Sequence, residues 1–378
     1  MQVWQFTEQP YHAAWDADPD SLRVTLPNRN FSPDLGSDLL NRYLDEWSLG
    51  DDLGLNIMVN EHHSTPTCIS PSCLITLAML ARSTTKARLL TLGIPLCNRL
   101  DPVRVAEELS YIDVVSRGRV EMGFVKGVPY EIAPANSNPV RMMDRFWEAL
   151  DLITKAMTTH HGPFNWEGEH FQYRQVNIWP RPYQQPRPNV WISAGSPPSA
   201  IVPAERGYTI ATVLSLPNAK RLFHAYRQRV AELGRPAPAL DRFGYLALMG
   251  IGHTREEGFA KLHKIRGYLR STGIVAPQFQ NPPGYSPVQA NAQALAKKAK
   301  GRVGSEYLRV TTRDGRSFEH FNGFARGTAA RPLSEAEIAE KFMTCASGAI
   351  GKSDAERLLG RLHALEALPS VRSLFDGS

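Results

Sequence analysis

Short apolar runs alternate with stretches of helical period along most of the chain. VWQF (3–6), LNIMVN (55–60), ARLLTLGIPL (87–96), GRVEMGF (118–124), VWISAG (190–195), YTIATV (208–213) and FGYLALMGIG (243–252) read as strands. Between them, helical patterns cover 36–53, 71–83, a stretch from 102, 140–158, a short piece before 208, 217–233 and a stretch from 254. Seven strand-then-helix units in series mean parallel strands joined by crossover helices. Strands covered on both faces are nearly all apolar, as LNIMV and LLTLGI are. An open doubly wound sheet fits the same rhythm. Reaching seven strands by residue 252, with chain left over, favours an α/β fold of the TIM-type (β/α)8 barrel in one domain over 1–378. VRSLF (371–375) is then the eighth strand, with the helix after it missing.

Local signals sharpen some boundaries. Asp101-Pro102 sets an N-cap acceptor before a proline whose lost N–H would have had no partner. Val105, Leu109 and Ile112 then form one buried stripe, and Gly118 ends that helix where positive φ is cheap. Two stretches break the rhythm. Residues 160–189 are rich in Trp, Tyr, Phe and Pro and read as an ordered excursion that shapes a pocket mouth. Residues 275–332 read as an insertion before the last strand, partly mobile, with TTRDGRS a turn between short strands and KKAKGR a solvated face.

Composition adds exclusions. Hydrophobic residues are 42% and charged residues 21%, ordinary for a folded chain of 378 residues. No run of about 18 apolar residues is present, so no membrane span is expected. The opening MQVWQFTEQPYH lacks a basic segment followed by an apolar run, and a cytoplasmic protein is expected. A net charge of +6 is too mild at this size to specify nucleic acid and suits an anionic small molecule equally. Cys68, Cys73, Cys97 and Cys345 form no C-x-x-C pair and read as buried small hydrophobes.

Candidate chemistry gathers at strand ends, because the carboxyl ends of barrel strands face the active site. MVNEHHS brings Asn60, Glu61, His62 and His63 there. A histidine at that place suits proton transfer, since its pKa lies near working pH. Adjacent histidines on an extended segment point opposite ways, so one faces the pocket; hydrogen-bonded loop histidines are the alternative. A metal would need an i, i+4 pair or a third ligand, so no metal site is expected. In ISAGSPPSA, Gly195, Ser196 and Ser199 stand at a strand-to-helix turn, an anion cradle or an ordinary capped helix. Lys126 in GFVKG and Arg141 in NPVRM add two cations. Two cations and two hydroxyls at strand ends suit one phosphomonoester. ASGAIGKS (346–353) imitates a P-loop, but Ala346 replaces its first glycine and no mononucleotide unit precedes it.

Taken together, EHH after the second strand, NRLDPVRVAEELSYIDVVSRGRVEMGFVKG (98–127), NSNPVRM (136–142) and ISAGSPPSA (192–200) resemble the bacterial luciferase-like, flavin-dependent monooxygenases over roughly residues 1–270. The resemblance implies a barrel binding FMN, or reduced FMN, at the carboxyl end of its strands. A separate flavin reductase supplies the reduced flavin, and O2 forms a C4a-peroxyflavin that oxidises a small organic substrate. His62 matches the family's catalytic histidine; Lys126 and Arg141 match phosphate ligands, and Gly195, Ser196 and Ser199 the phosphate-binding helix start. Gly93 and Ile94 match the strand end beneath the isoalloxazine ring, where the family often has a cis peptide. Val125 falls where luciferases carry a reactive cysteine. A homodimer is implied by resemblance alone. The alternatives are an F420-dependent oxidoreductase on the same barrel, or a non-catalytic barrel subunit supporting a paralogue.

Overall fold

Seven strands run parallel in one sheet in the order β1-β2-β3-β4-β7-β8-β9: Trp4–Phe6 (β1), Asn56–Val59 (β2), Leu89–Pro95 (β3), Val120–Val125 (β4), Val190–Ser193 (β7), Thr209–Thr212 (β8) and Phe243–Tyr245 (β9). Phe164–Glu167 (β5) and Gln172–Val176 (β6) form a separate antiparallel pair. The computed structural model describes residues 2–19, 21–272, 274–275, 277–286, 288, 306–312, 316–322, 333–364 and 367. The chain divides into two compact units, Met1–Ser286 and Pro287–Ser378, with the boundary inside the 275–332 stretch.

The crossover helices of the first unit are Pro33–Asp52 (α2, after the short α1 at Ala13–Ala17), Cys73–Ser83 (α3), Pro102–Ser116 (α4), Met142–Thr158 (α5), Ile201–Arg206 (α6) and Leu216–Glu232 (α7). Their starts follow local chemistry. The side chains of Ser32, Ser72 and Asp101 accept the N–H groups of Leu35, Ile75 and Arg104, three orphan donors at helix starts. At the end of α4 the left-handed turn begins at Arg117 (φ 56°), one residue earlier than the glycine signal, and continues through Gly118 (φ 84°).

Alternation along each strand separates two cores. Ile57, Val59, Leu89, Ile94, Val120, Met122, Phe124, Val190 and Ile192 pack with the helices in the main core. Met58, Leu90, Trp191 and Ala211 point the other way, joined by Trp4, Phe6, Leu92 and Leu246. Trp4 and Trp191 stand four strand steps apart, which in a flat sheet is roughly 19 Å. Their ring centroids are 5.5 Å apart, so the sheet curls and this second face is concave. On that face Glu121 is buried, accepting Trp191 Nε1 at 2.9 Å and pairing with Arg88. Gly123 is required where β3 and β4 meet, since a side chain there would overlap the Thr91 carbonyl.

The expected seven strands are all present, joined in the expected order. The last is shorter than the apolar run 243–252: pairing stops at Tyr245, and Leu248, Met249 and Ile251 are exposed. β9 is the sheet's edge among the described residues, so no further ladder extends the run. The eighth strand expected at 371–375 lies outside the described residues, as does KKAKGR.

The aromatic excursion 160–189 is the β5–β6 hairpin followed by a segment with cis Trp179–Pro180 and Gln185–Pro186 bonds. Glu148 of α5 accepts Trp166 Nε1 and the N–H groups of His170 and Phe171, which fastens the hairpin to that helix. In the second unit, Glu306–Thr311 (β10) pairs antiparallel with Ser317–Asn322 (β11) on either side of the expected turn. Helices Glu335–Ile350 and Lys352–His363 follow, elements that the apolar pattern had not disclosed. A capping box between Ser334 and Glu337 starts the first, and that spacing is visible in the sequence. Cys345 on this helix is exposed, contrary to expectation, because the helix is mostly exposed on that face; Cys68, Cys73 and Cys97 are buried. Among the described residues no helix is long and apolar enough to cross a membrane.

Candidate functional site

The carboxyl ends of the parallel strands place Glu8 just after β1, Asn60–His63 after β2, Asn98 and Arg99 after β3, Lys126–Glu131 after β4, and Gly195–Ser199 after β7. His62 lies between two carboxylates. Its Nδ1 is 2.7 Å from Glu131 Oε1 and its Nε2 is 3.6 Å from Glu8 Oε2. The Tyr130 hydroxyl approaches the same Nδ1 at 3.5 Å. Glu131 also accepts the His63 N–H, and Glu8 accepts Asn60 Nδ2. The Glu131 side chain is 2% exposed and that of His62 18%, so the imidazole is held from behind and open on one side. A hydrogen bond at one ring nitrogen fixes what the other can do.

His63 turns away, at the bend that follows the strand end. Its Nε2 is 3.3 Å from Glu61 Oε1, and Glu61 is bound by Arg99 Nη2 at 2.6 and 2.7 Å and by the Cys73 N–H at 3.0 Å. Burial pushes the Glu61 carboxyl up, but the His63 hydrogen bond, the Arg99 charge and the Cys73 N–H outweigh it and hold it below its ordinary value. The hydrogen bond that His63 donates to Glu61 raises His63, against the effect of burial.

The other expected residues fall as follows. The Leu92–Gly93 peptide is cis, and a side chain at Gly93 would overlap Val125 Cγ1. Ile94 is fully buried in the main core, so only its backbone is available to the concave face. Lys126 Nζ donates to the Tyr285 carbonyl at 2.6 Å and lies 3.6 Å above that tyrosine's ring centre; burial lowers its pKa. Arg141, half exposed, is the left-handed N-cap of α5 (φ 55°) and pairs with Asp144 and Glu169. Ser199 Oγ accepts the Ser196 N–H at 3.1 Å and donates to the Ser196 carbonyl at 2.6 Å. Gly195 has nothing within 4 Å of where a side chain would begin. The contacts bring His62 together with Glu8, Glu131 and Tyr130, and Ser196 together with Ser199; among the described residues no direct hydrogen bond or ion pair joins Lys126 or Arg141 to each other or to that serine pair.

Glu8, Glu131 and Tyr130 were not singled out from the sequence. Glu131 follows Lys126 by five residues on a short turn, and only the fold shows that this turn reaches back to the second strand end. Buried thiols offer no rival chemistry: burial pushes Cys68 and Cys97 up to about 12.

The model of luciferase-like monooxygenases matches residues 23–346. The y4wF protein of Sinorhizobium fredii is 29% identical over 230 residues, covering 60% of this chain and 66% of that one. The oxygenase component of a flavin-dependent trigonelline monooxygenase from Acinetobacter baylyi is 27% identical over 200 residues, covering 50% and 54%. This chain thus spans between half and two thirds of the length of these relatives. Among solved structures, the oxygenating constituent of 3,6-diketocamphane monooxygenase from Pseudomonas putida, in complex with FMN, superposes with a TM-score of 0.58 at 18% identity, covering 71% of this chain and 73% of that one. An F420-dependent secondary alcohol dehydrogenase superposes with a TM-score of 0.52 at 16% identity, covering 68% and 77%. The fold is therefore shared by proteins of two cofactor types. The family match extends over most of the sequence, and this chain belongs to the luciferase-like monooxygenases.

Proposed function

We propose that the chain is an oxidoreductase that takes reduced FMN from a separate reductase and uses O2 to oxidise a small organic substrate. The observation that carries this reading is His62, held at the carboxyl end of the sheet by Glu131 and Glu8 beside an apolar concave face. Family membership supports the reaction class, and the relative described as an oxygenase component supports the separate reductase.

A flat ring with a phosphate tail fits these residues. Leu92 keeps partly exposed apolar surface on the concave face, over the buried Met58, Leu90 and Trp191, and Gly195 leaves open space where a Cβ would stand. Bound reduced flavin supplies the electrons that activate O2. In this reading Gly93, Ile94 and Val125 border the ring, while Lys126, Arg141, Gly195, Ser196 and Ser199 hold the phosphate. Arg141 would exchange exposed carboxylate partners for phosphate, a small loss because exposed ion pairs contribute little. Lys126 would leave the Tyr285 carbonyl. His62 would hold or move a proton at Nε2, with Nδ1 oriented by Glu131. The apolar face excludes water from the reacting centre.

Anaerobic titration of the protein with reduced FMN, oxidised FMN and reduced F420 tests this, followed by admission of oxygen. Tight binding of reduced FMN, with oxygen uptake on mixing, is expected. Preference for F420 would support the dehydrogenase-type alternative. Flavin binding without oxygen uptake would support a non-catalytic subunit.

A further inference from the structure

Arg23 has an unusual environment for an arginine. Its guanidinium lies 4.6 Å from the Tyr130 ring centre and its side-chain Nε is buried without a hydrogen-bond partner, while its backbone N–H donates to the Ile274 carbonyl at 2.9 Å. Among the described residues no carboxylate pairs with it. Arg23 is half-buried, and a guanidinium that has lost water at one of its nitrogens gains from a counter-ion. The Tyr130 ring under this guanidinium is also one wall of an open cavity of about 420 Å³, whose other lining residues are Val128, Pro129, Ile274, Val275 and Gln280. Tyr130 and Ile274 belong both to the cavity wall and to the contacts of Arg23, and the Tyr130 hydroxyl touches His62.

We propose that this cavity is the substrate pocket and that its ligand is a small organic carboxylate, with its apolar body against Val128, Pro129 and Ile274 and its anion on Arg23. This deepens the proposed function and rests on it for the word substrate. A hydrocarbon body gains from leaving water against such walls, and the volume lies within the range of small-molecule pockets. The planar fork of a guanidinium matches the two oxygens of a carboxylate. Two carboxylates also lie near Tyr130, but both are engaged: Glu131 by His62 and the His63 N–H, Glu8 by Asn60 and more distantly by His62. Arg23 is the charge left over. A ligand seated so has its body one side chain away from His62, across Tyr130.

The test is calorimetric titration of the intact chain, without flavin, with 2-naphthoate and with 2-naphthamide, which share a shape and differ in charge. The wild-type chain is expected to bind naphthoate roughly 10-fold to 100-fold more tightly, as hydrogen bonds to a charged group allow. Arg23→Gln should remove that difference while leaving naphthamide binding within about threefold, and Arg23→Lys should keep part of it. Equal affinity for the two probes in the wild-type chain, no binding of naphthoate, or an undiminished preference in Arg23→Gln would overturn the proposal. Since no flavin is present, the outcome is independent of whether the chain binds FMN, and failure of the flavin titration is seen separately.

Discussion

Glu61 has no exposed side-chain surface and is bound by Arg99, His63 and the Cys73 N–H. Removing one partner of a buried ion pair leaves a stranded charge, so Glu61→Ala should cost about 3 kcal/mol in denaturant unfolding. The pair also gives stability a pH signature. Glu61 is held below its ordinary 4.5, so its contribution is complete above that value and disappears as pH falls through the lowered one. His63 is raised above 6.5, so its contribution is complete below that value and disappears as pH rises through the raised one. The penalty of His63→Gln should therefore be largest between pH 4.5 and 6.5 and shrink in more alkaline buffer. A penalty that grows with alkalinity would mean the Glu61–His63 bond does not hold in solution.

Arg119 acts between elements. It lies at the amino end of β4, opposite the candidate site, and every guanidinium donor direction is used. Nε bonds the Ser116 carbonyl at the end of α4; Nη1 bonds Thr84 Oγ1 and the Ala87 carbonyl; Nη2 bonds the carbonyls of Ala81 and Thr84 at the end of α3. A lysine cannot span these acceptors with one ammonium. Arg119→Lys should lose about 1–3 kcal/mol of stability. Reduced-flavin affinity should be unchanged, because conserving geometry at the amino face of such a sheet serves the fold rather than the site. Parallel thermal melts and anaerobic titrations measure both. At this scale the strand and helix order was legible in the sequence, because period-2 and period-3.6 patterns record which side of each element is covered. The β5–β6 hairpin was not. Its order comes from Glu148 on a preceding helix, a partner 18 to 23 residues away that no local pattern marks.

For the whole molecule, the proposed function divides labour among strand ends. His62→Ala should leave reduced-FMN affinity nearly intact and lower the oxidation rate about 10²-fold to 10⁴-fold, the usual range for a lost acid–base group. Lys126→Ala should weaken flavin binding without abolishing turnover at saturating flavin. Stopped-flow reactions over a range of flavin concentrations separate the two, and a reversed pattern would exchange the roles. The same strand ends explain what the sequence left out of the site: Glu8 and Glu131 lie 123 residues apart in the numbering, yet both face His62.

Alternation of apolar residues and helix-start chemistry determined the parallel α/β order, since both are local consequences of backbone geometry. They also placed His62 and Lys126 at strand ends. What only the tertiary structure decided is the partner of each group: Glu131 behind His62, Tyr285 on Lys126, Glu169 on Arg141 and no carboxylate on Arg23 among the described residues. Charge pairing depends on distance in space, and curling of the sheet brings together residues that chain spacing keeps apart.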